Sequence, residues 1–186
     1  MKAELLCPVW VGYLLANPLR KLIQDPRGIL APYVKSGMTA LDVGSAMGFF
    51  SLPMAELVGP DGRVICVDLQ EKMIKSLERR AGKAGLAVRV QTRVCSQSSL
   101  GLDDLRDRVD FALAFAMVHE VPDAATLFSD IHGALKPGGT VLVAEPKGHV
   151  TREGFEASVS AAVQSGFEIV DKPIIRLSHA VLLSRK

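Results

Sequence analysis

The sequence predicts an α/β domain built on a doubly wound, mostly parallel sheet, and three observations carry that expectation. From residue 38 onward, short apolar runs rich in β-branched residues alternate with longer segments of helical periodicity. Most of those runs are apolar almost without interruption, as strands covered on both faces must be. The connections between them are short and punctuated by glycine and proline. A chain of 186 residues, 48% apolar and 23% charged, has the size of one domain and enough to bury for a core without disulfides or metals.

Taken in order, residues 1–37 read as an N-terminal helical extension or lid, in which Pro18 and Pro26 each open a short helical pattern. Its apolar run, residues 5–16, is preceded by Glu4, broken by Pro8 and followed by no small-residue cleavage site. It falls short of the ~20 residues a membrane span needs, so it reads as a docking helix. The domain proper, residues 38–186, opens with a strand at 38–43, a small-residue turn at 44–48 and a helix from about Phe49. Gly59-Pro-Asp-Gly62 forms a turn before the second strand, 63–67.

The clearest helix spans 71–84, where Met73, Ile74, Leu77 and Ala81 recur at helical spacing and Lys75, Glu78, Arg79, Arg80 and Lys83 supply a solvated face. At 88–94, Val88, Val90, Thr92 and Val94 alternate with Arg89, Gln91 and Arg93, which predicts a strand near an edge with one wet face. A buried strand follows at 109–115, then a helix at 124–135 that Pro137-Gly-Gly139 ends before a fifth strand at 140–144. A helix at 152–164 and two extended runs within 167–183, separated by Pro173, complete the chain as a terminal hairpin-like pair.

A formal net charge of +2 gives no bias towards phosphate backbones or anionic membranes, which favours small partners over nucleic acid. Cys7, Cys66 and Cys95 are widely spaced and form no CxxC pattern. That usage argues against a disulfide framework or a structural zinc site and fits a reducing cytoplasm.

The chemistry concentrates at the first strand end, Leu41-Asp-Val-Gly-Ser-Ala-Met-Gly48. A bend this tight needs glycine where φ is positive or where a ligand touches the backbone, which gives Gly44 and Gly48 their reason. In an open parallel sheet the ligand crevice lies outside the carboxyl ends of the strands. Asp68 closes the next strand, where a carboxylate can accept hydrogen bonds from a ribose diol. A dinucleotide fold requires G-x-G-x-x-G at the bend, yet here Ala46 stands between Gly44 and Gly48, and Phe49 takes the third glycine's place.

The spacing of Asp42, Gly44 and Gly48 instead resembles the first motif of the class I S-adenosylmethionine-dependent methyltransferases, most closely their small-molecule, quinone-biosynthesis-like branch. Val67-Asp-Leu-Gln70 resembles that family's ribose-binding strand end. Val109-Asp110 leading to Val118-His-Glu-Val-Pro-Asp123 resembles its fourth motif, and Leu135-Lys-Pro-Gly-Gly139 its fifth. The resemblance runs from residue 38 to the C-terminus and implies a Rossmann-like methyltransferase fold, a seven-stranded sheet with an antiparallel last strand.

It further implies S-adenosylmethionine as cofactor, S-adenosylhomocysteine as product and a small-molecule methyl acceptor. Asp42 and the backbone from Gly44 through Ser45 and Ala46 to Gly48 would hold the amino-acid part, and Asp68 the ribose. Leu69, with Cys95 and Ser96, would face the adenine, and Ala114-Phe115-Ala116 would line the sulfonium end. Two positions depart from the pattern: Ala46 replaces the usual central glycine, and Ser96 an aspartate that accepts the adenine amino group.

Methyl transfer depends mainly on aligning two bound reactants. If the acceptor is a hydroxyl or enol, a general base helps, and His119 and His149 follow the fourth and fifth strands on the crevice side. His132 and His179 read as structural. Glu120 and Glu145 could join a histidine around a hard cation, but the spacing does not demand a metal. Trp10, Tyr13 and Tyr33 could roof the acceptor pocket or pack an extra helix on the sheet, and the apolar N-terminal segment is a candidate homodimer surface. The competing classes are a non-catalytic adenosyl-cofactor-binding module and an NAD(P)-dependent oxidoreductase. A base N-methyltransferase is disfavoured by Ala114 to Met117, which stands where an Asn/Asp-Pro-Pro-aromatic motif belongs.

Overall fold

The computed structural model describes residues 24–186. Its strands are β1 (Thr39–Val43), β2 (Arg63–Asp68), β3 (Val90–Val94), β4 (Val109–Phe115), β5 (Leu135–Pro146), β6 (Phe167–Asp171) and β7 (Ser178–Arg185). Its α-helices are α1 (Pro26–Leu30), α2 (Ser51–Leu57), α3 (Glu71–Lys83), α4 (Ala124–Ala134) and α5 (Arg152–Gln164). The strands form one sheet in the order β3-β2-β1-β4-β5-β7-β6, parallel through β5 and antiparallel at both β7 pairings. The expected seven-stranded α/β sheet is therefore present, with β7 reversed.

Strand residues alternate between two cores, as the pleat requires. Leu41, Val43, Ile65, Val67, Ala112 and Ala114 face a core completed by Phe128 and Ile131 of α4 and Phe155 of α5. Ala40, Val64, Cys66, Phe111 and Leu113 face the other, with Leu30 of α1, Met54 of α2 and Leu77 of α3. The chain winds outward from β1 to β3 on one side and then returns to β4, so the direction of winding reverses between β1 and β4. That reversal opens a crevice above the two strand ends.

Several boundaries shift for physical reasons. The helix after the bend starts at Ser51 rather than Phe49, because residues 44–50 are consumed by the turn. Val88 lies outside β3 and is 99% exposed, since the Arg89 N–H bonds the Leu86 carbonyl in a turn and the strand begins only at Val90. β3 does occupy the sheet edge, as the alternation predicts. β5 begins at Leu135, where its pairing with Val109 precedes a register shift, so the Lys136 to Gly139 segment interrupts the ladder rather than ending it.

Pro26 sits at the first position of α1, and the Asp25 side chain accepts the Arg27 N–H at 3.1 Å as its cap. Tyr33 stacks on Phe111 of β4 with centroids 5.8 Å apart, which packs the described part of the extension on the sheet. The readings of residues 5–16, Cys7, Trp10, Tyr13, Pro18 and the N-terminal dimer surface lie outside the described residues. Among the described residues no helix is long and apolar enough to cross a membrane.

Candidate functional site

The β1 end is a backbone coil in which left-handed residues alternate: Gly44 has φ +71°, Ala46 +45° and Gly48 +85°. The N–H groups of Gly44 and Ser45 both bond the Val67 carbonyl of β2, at 2.9 and 3.0 Å. The next N–H, that of Ala46, donates to Asp68 Oδ2 at 2.8 Å, while Gln70 N–H donates to Oδ1 at 2.8 Å. The carboxylate thus turns towards the bend and fixes it. Each carboxylate oxygen carries two acceptor positions, so lone pairs remain for a ligand diol. From α3, the Arg80 guanidinium clamps the Met47 carbonyl at 2.5 Å.

Both glycines adopt the positive φ that the sequence predicts, but the space beside them is filled by protein. A Cβ on Gly44 would meet Met117 Cβ at 2.9 Å, and one on Gly48 would meet Leu77 Cδ1 at 2.2 Å. Of the two reasons the sequence offers for these glycines, positive φ is met, and their missing side chains also admit Met117 and Leu77. Ala46, between them, is half-buried. Ser45 is 4% exposed, and its Oγ has no hydrogen-bond partner among the described residues. A buried hydroxyl without a partner is costly, and a bound polar group would relieve it.

Asp42 is 3% exposed, lies below the bend and accepts the Ser51 hydroxyl of α2. Burial pushes its carboxyl up to about 7, partly opposed by the Ser51 hydrogen bond and reinforced by the Asp68 charge. Asp68 is also raised, again by burial, against the pull of its backbone donors at Gln70, Ala46 and Leu69. Through Ser51 the buried Asp42 ties β1 to the start of α2.

At the β3 end, the Cys95 N–H bonds the Asp68 carbonyl at 3.0 Å, and Leu69 is half-buried alongside. Burial and the Asp68 charge push the Cys95 thiol up to about 11, so it stays neutral. The Ser96 hydroxyl is exposed and turned into its own loop, where it accepts the Ser99 N–H at 3.1 Å. At the β4 end, Ala114 is buried in the core and the Phe115 ring is spent against Phe50, with centroids 4.4 Å apart. Ala116 has φ +57° and is partly exposed.

Beside Met117, the turn Val118–Glu120 is held by Glu145, which is 1% exposed at the end of β5. Glu145 Oε1 accepts the N–H of Met117 at 3.1 Å and of Val118 at 2.8 Å, and Oε2 pairs with His119 Nδ1. His119 Nε2 lies 4.0 Å from Glu120 Oε1, too far for a hydrogen bond, and the His149 ring is 6.3 Å away. The Glu145 hydrogen bond raises the His119 pKa, against burial and with help from the Glu120 charge. Burial likewise raises Glu120. The structure thus brings His119 and His149 together, while His132 packs on Phe167 and His179 on Phe155. Among the described residues, no group of three or more His, Cys, Asp or Glu side chains is arranged to hold a metal.

The sequence joined Glu145 to a histidine only through a cation; the direct Glu145–His119 pairing was not foreseen, though a lone charge in the otherwise uncharged run 140–146 was its signal. It also missed a cavity of about 400 Å³ between α1 and the β6–β7 connection, lined by apolar Ile29, Tyr33 and Ile175 and by polar Gln24, Asp25 and Arg176.

Residues 34–174 match the family described as "Methyltransferase domain". The chain is 33% identical over 109 residues to an arsenite methyltransferase of Halobacterium salinarum, covering 59% of this chain and 27% of that protein. It is 29% identical over 112 residues to a demethylmenaquinone methyltransferase of Geobacillus stearothermophilus, covering 60% and 47%. The aligned region thus spans about half or less of these relatives' length. In structure it resembles a SAM-dependent methyltransferase from Aquifex aeolicus, with TM-score 0.85, 22% identity and coverage of 96% and 99% of the two chains. At that identity the likeness speaks to the fold.

Proposed function

The chain belongs to the methyltransferase-domain family, and from that premise we propose that it transfers the methyl group of S-adenosylmethionine to a small-molecule acceptor by direct displacement. The observation that carries this reading is the Ala46–Asp68 bridge, which joins two neighbouring strand ends beside the point where the sheet reverses its winding. A nucleoside fits there chemically. Asp68 keeps acceptor capacity for a ribose diol, the buried Ser45 hydroxyl lacks a partner among the described residues, and Leu69 with Cys95 offers an apolar seat beside Asp68 for a purine.

The cofactor supplies an electrophilic methyl group on a sulfonium. The chain's own contribution is to hold two reactants in line, which requires few reactive groups. The coil from Gly44 to Gly48 would take the amino-acid end, with Asp42 fixing that coil through Ser51. Ala116 and Met117 would border the sulfonium, next to His119. Ser96, satisfied within its own loop, would contribute little to adenine selection.

A small acceptor is supported by the relatives, which are named for arsenite and demethylmenaquinone. The described part of the extension also borders a cavity lined by Ile29, Tyr33 and Ile175 together with Gln24, Asp25 and Arg176, which would be a second place for a small molecule. Cysteine usage supports a cytoplasmic setting. Titration calorimetry tests the assignment: S-adenosylhomocysteine should bind with one site per chain, and NADH should give no heat. NADH binding without S-adenosylhomocysteine binding would overturn it in favour of an oxidoreductase.

A further inference from the structure

Glu145 is buried to 1% exposure on a strand whose other inward residues are apolar, a placement that is costly unless the carboxylate is fully engaged. It is engaged: one oxygen takes two backbone N–H groups of the Met117 turn and the other faces His119 Nδ1. Because this carboxylate acts only as an acceptor when ionised, the imidazole must present Nδ1–H to it. Its other nitrogen, Nε2, then carries the lone pair, 4.0 Å from Glu120 and on a side chain that is 28% exposed at the crevice rim. The backbone bonds alone would make Glu145 a cap for the turn. The histidine contact gives it a second consequence.

Resting on the methyltransferase reading, we propose that Glu145 is a positioning residue that fixes His119 as the proton acceptor for a hydroxylated aromatic or enolic methyl acceptor. As the acceptor oxygen forms its bond to the methyl carbon, its O–H bond breaks and the proton passes to His119 Nε2. The electron pair of the broken methyl–sulfur bond stays on sulfur, and His119 later releases the proton to water.

The groups facing His119 are Glu145 from β5, Glu120 from its own turn and His149 from the connection after β5. The Glu145 hydrogen bond, with the charges of Glu145 and Glu120, raises its pKa above that of an ordinary imidazole against the effect of burial, which shifts the basic form to the alkaline side. The rate at saturating acceptor should rise with pH along one titration limb, and Glu145→Gln should move that limb to lower pH. A Gln at this position keeps an oxygen for the backbone donors but turns an amide N–H towards Nδ1. That forces the proton onto Nε2, the wrong nitrogen for a base.

The test uses the full chain with S-adenosylhomocysteine or methyl-labelled S-adenosylmethionine, and phenol, catechol, 1,4-dihydroxynaphthalene and 4-nitrophenol as acceptors. Nitrogen-15 spectra of the histidines should show Nδ1–H at His119 in the wild type and Nε2–H in Glu145→Gln. Glu145→Gln and His119→Gln should each lower kcat on phenol roughly 10²–10⁴-fold, with KM and S-adenosylhomocysteine affinity little changed. The deficit should shrink for 4-nitrophenol, which is already ionised at pH 8. His119→Gln, at a partly exposed side chain, carries the test should Glu145→Gln not fold.

Methylation of none of these acceptors by a wild type that binds S-adenosylhomocysteine would overturn this proposal alone, as would an equal deficit across acceptor acidities or an unchanged His119 tautomer. A wild type that binds no S-adenosylhomocysteine would overturn the methyltransferase reading and this proposal with it.

Discussion

The Asp68 carboxylate accepts the Ala46 N–H at 2.8 Å, tying the end of β2 to the bend that leaves β1. One side chain thereby shapes the backbone coil and still presents acceptor capacity to the crevice. Its two tasks separate by substitution. Asp68→Ala removes both and should weaken S-adenosylhomocysteine binding by roughly 10- to 100-fold, the scale of a lost hydrogen bond to a charged group. Asp68→Asn retains one acceptor oxygen and should fall between. Titration calorimetry of the three proteins checks the order.

Ala46 holds φ +45°, a conformation that costs a residue with a Cβ about 1–2 kcal/mol. Ala46→Gly releases that strain while adding about 0.4–1 kcal/mol of unfolded-state entropy. The net expectation is a protein as stable as the wild type or up to about 1.6 kcal/mol more stable by urea unfolding. The same change at Ala81, buried within α3, should destabilise by about 1 kcal/mol or more.

Gly48 combines φ +85° with Leu77 Cδ1 only 2.2 Å from where a Cβ would stand. Gly48→Ala should therefore cost about 1–3 kcal/mol of stability and displace the coil. Adding Leu77→Ala opens the space but leaves the backbone strain, so the double variant should recover part of the cofactor affinity lost by Gly48→Ala. Unfolding curves and calorimetry on both variants read this out.

Asp42 imposes a pH dependence with a definite sign. Its folded pKa, about 7, lies above its ordinary value of 3.8, so the folded state binds the proton more tightly than the unfolded chain. The stability this group contributes is complete below about pH 4 and is lost as pH rises through about 7. Between pH 5 and 8 the wild type should lose up to roughly 2–3 kcal/mol relative to Asp42→Asn. Urea unfolding of both proteins at the two pH values measures the difference.

The parts legible in the sequence are those set by local repetition. Met73, Ile74, Leu77 and Ala81 recur at a spacing only a one-sided helix satisfies, and α3 follows. The alternation at 88–94 places β3 at an edge because one wet face is compatible with little else, though the turn at Leu86–Arg89 removes Val88 from the strand. Asp68 was legible from its place at a strand end. The fillers of the crevice were not. Met117 meets Gly44 because β4 lies beside β1, and Glu145 meets His119 because Phe115 registers with Ala144. Such contacts depend on sheet order and register, which no local pattern encodes.

The most direct test of the account is a crystal structure of the protein with S-adenosylhomocysteine. The account predicts the ribose hydroxyls within about 3 Å of the Asp68 oxygens, the amino-acid end on the coil from Gly44 to Gly48, and the sulfur next to Met117. A nucleoside seated elsewhere, such as between Tyr33 and Ile175, with Asp68 touching only Ala46 and Gln70, would contradict it.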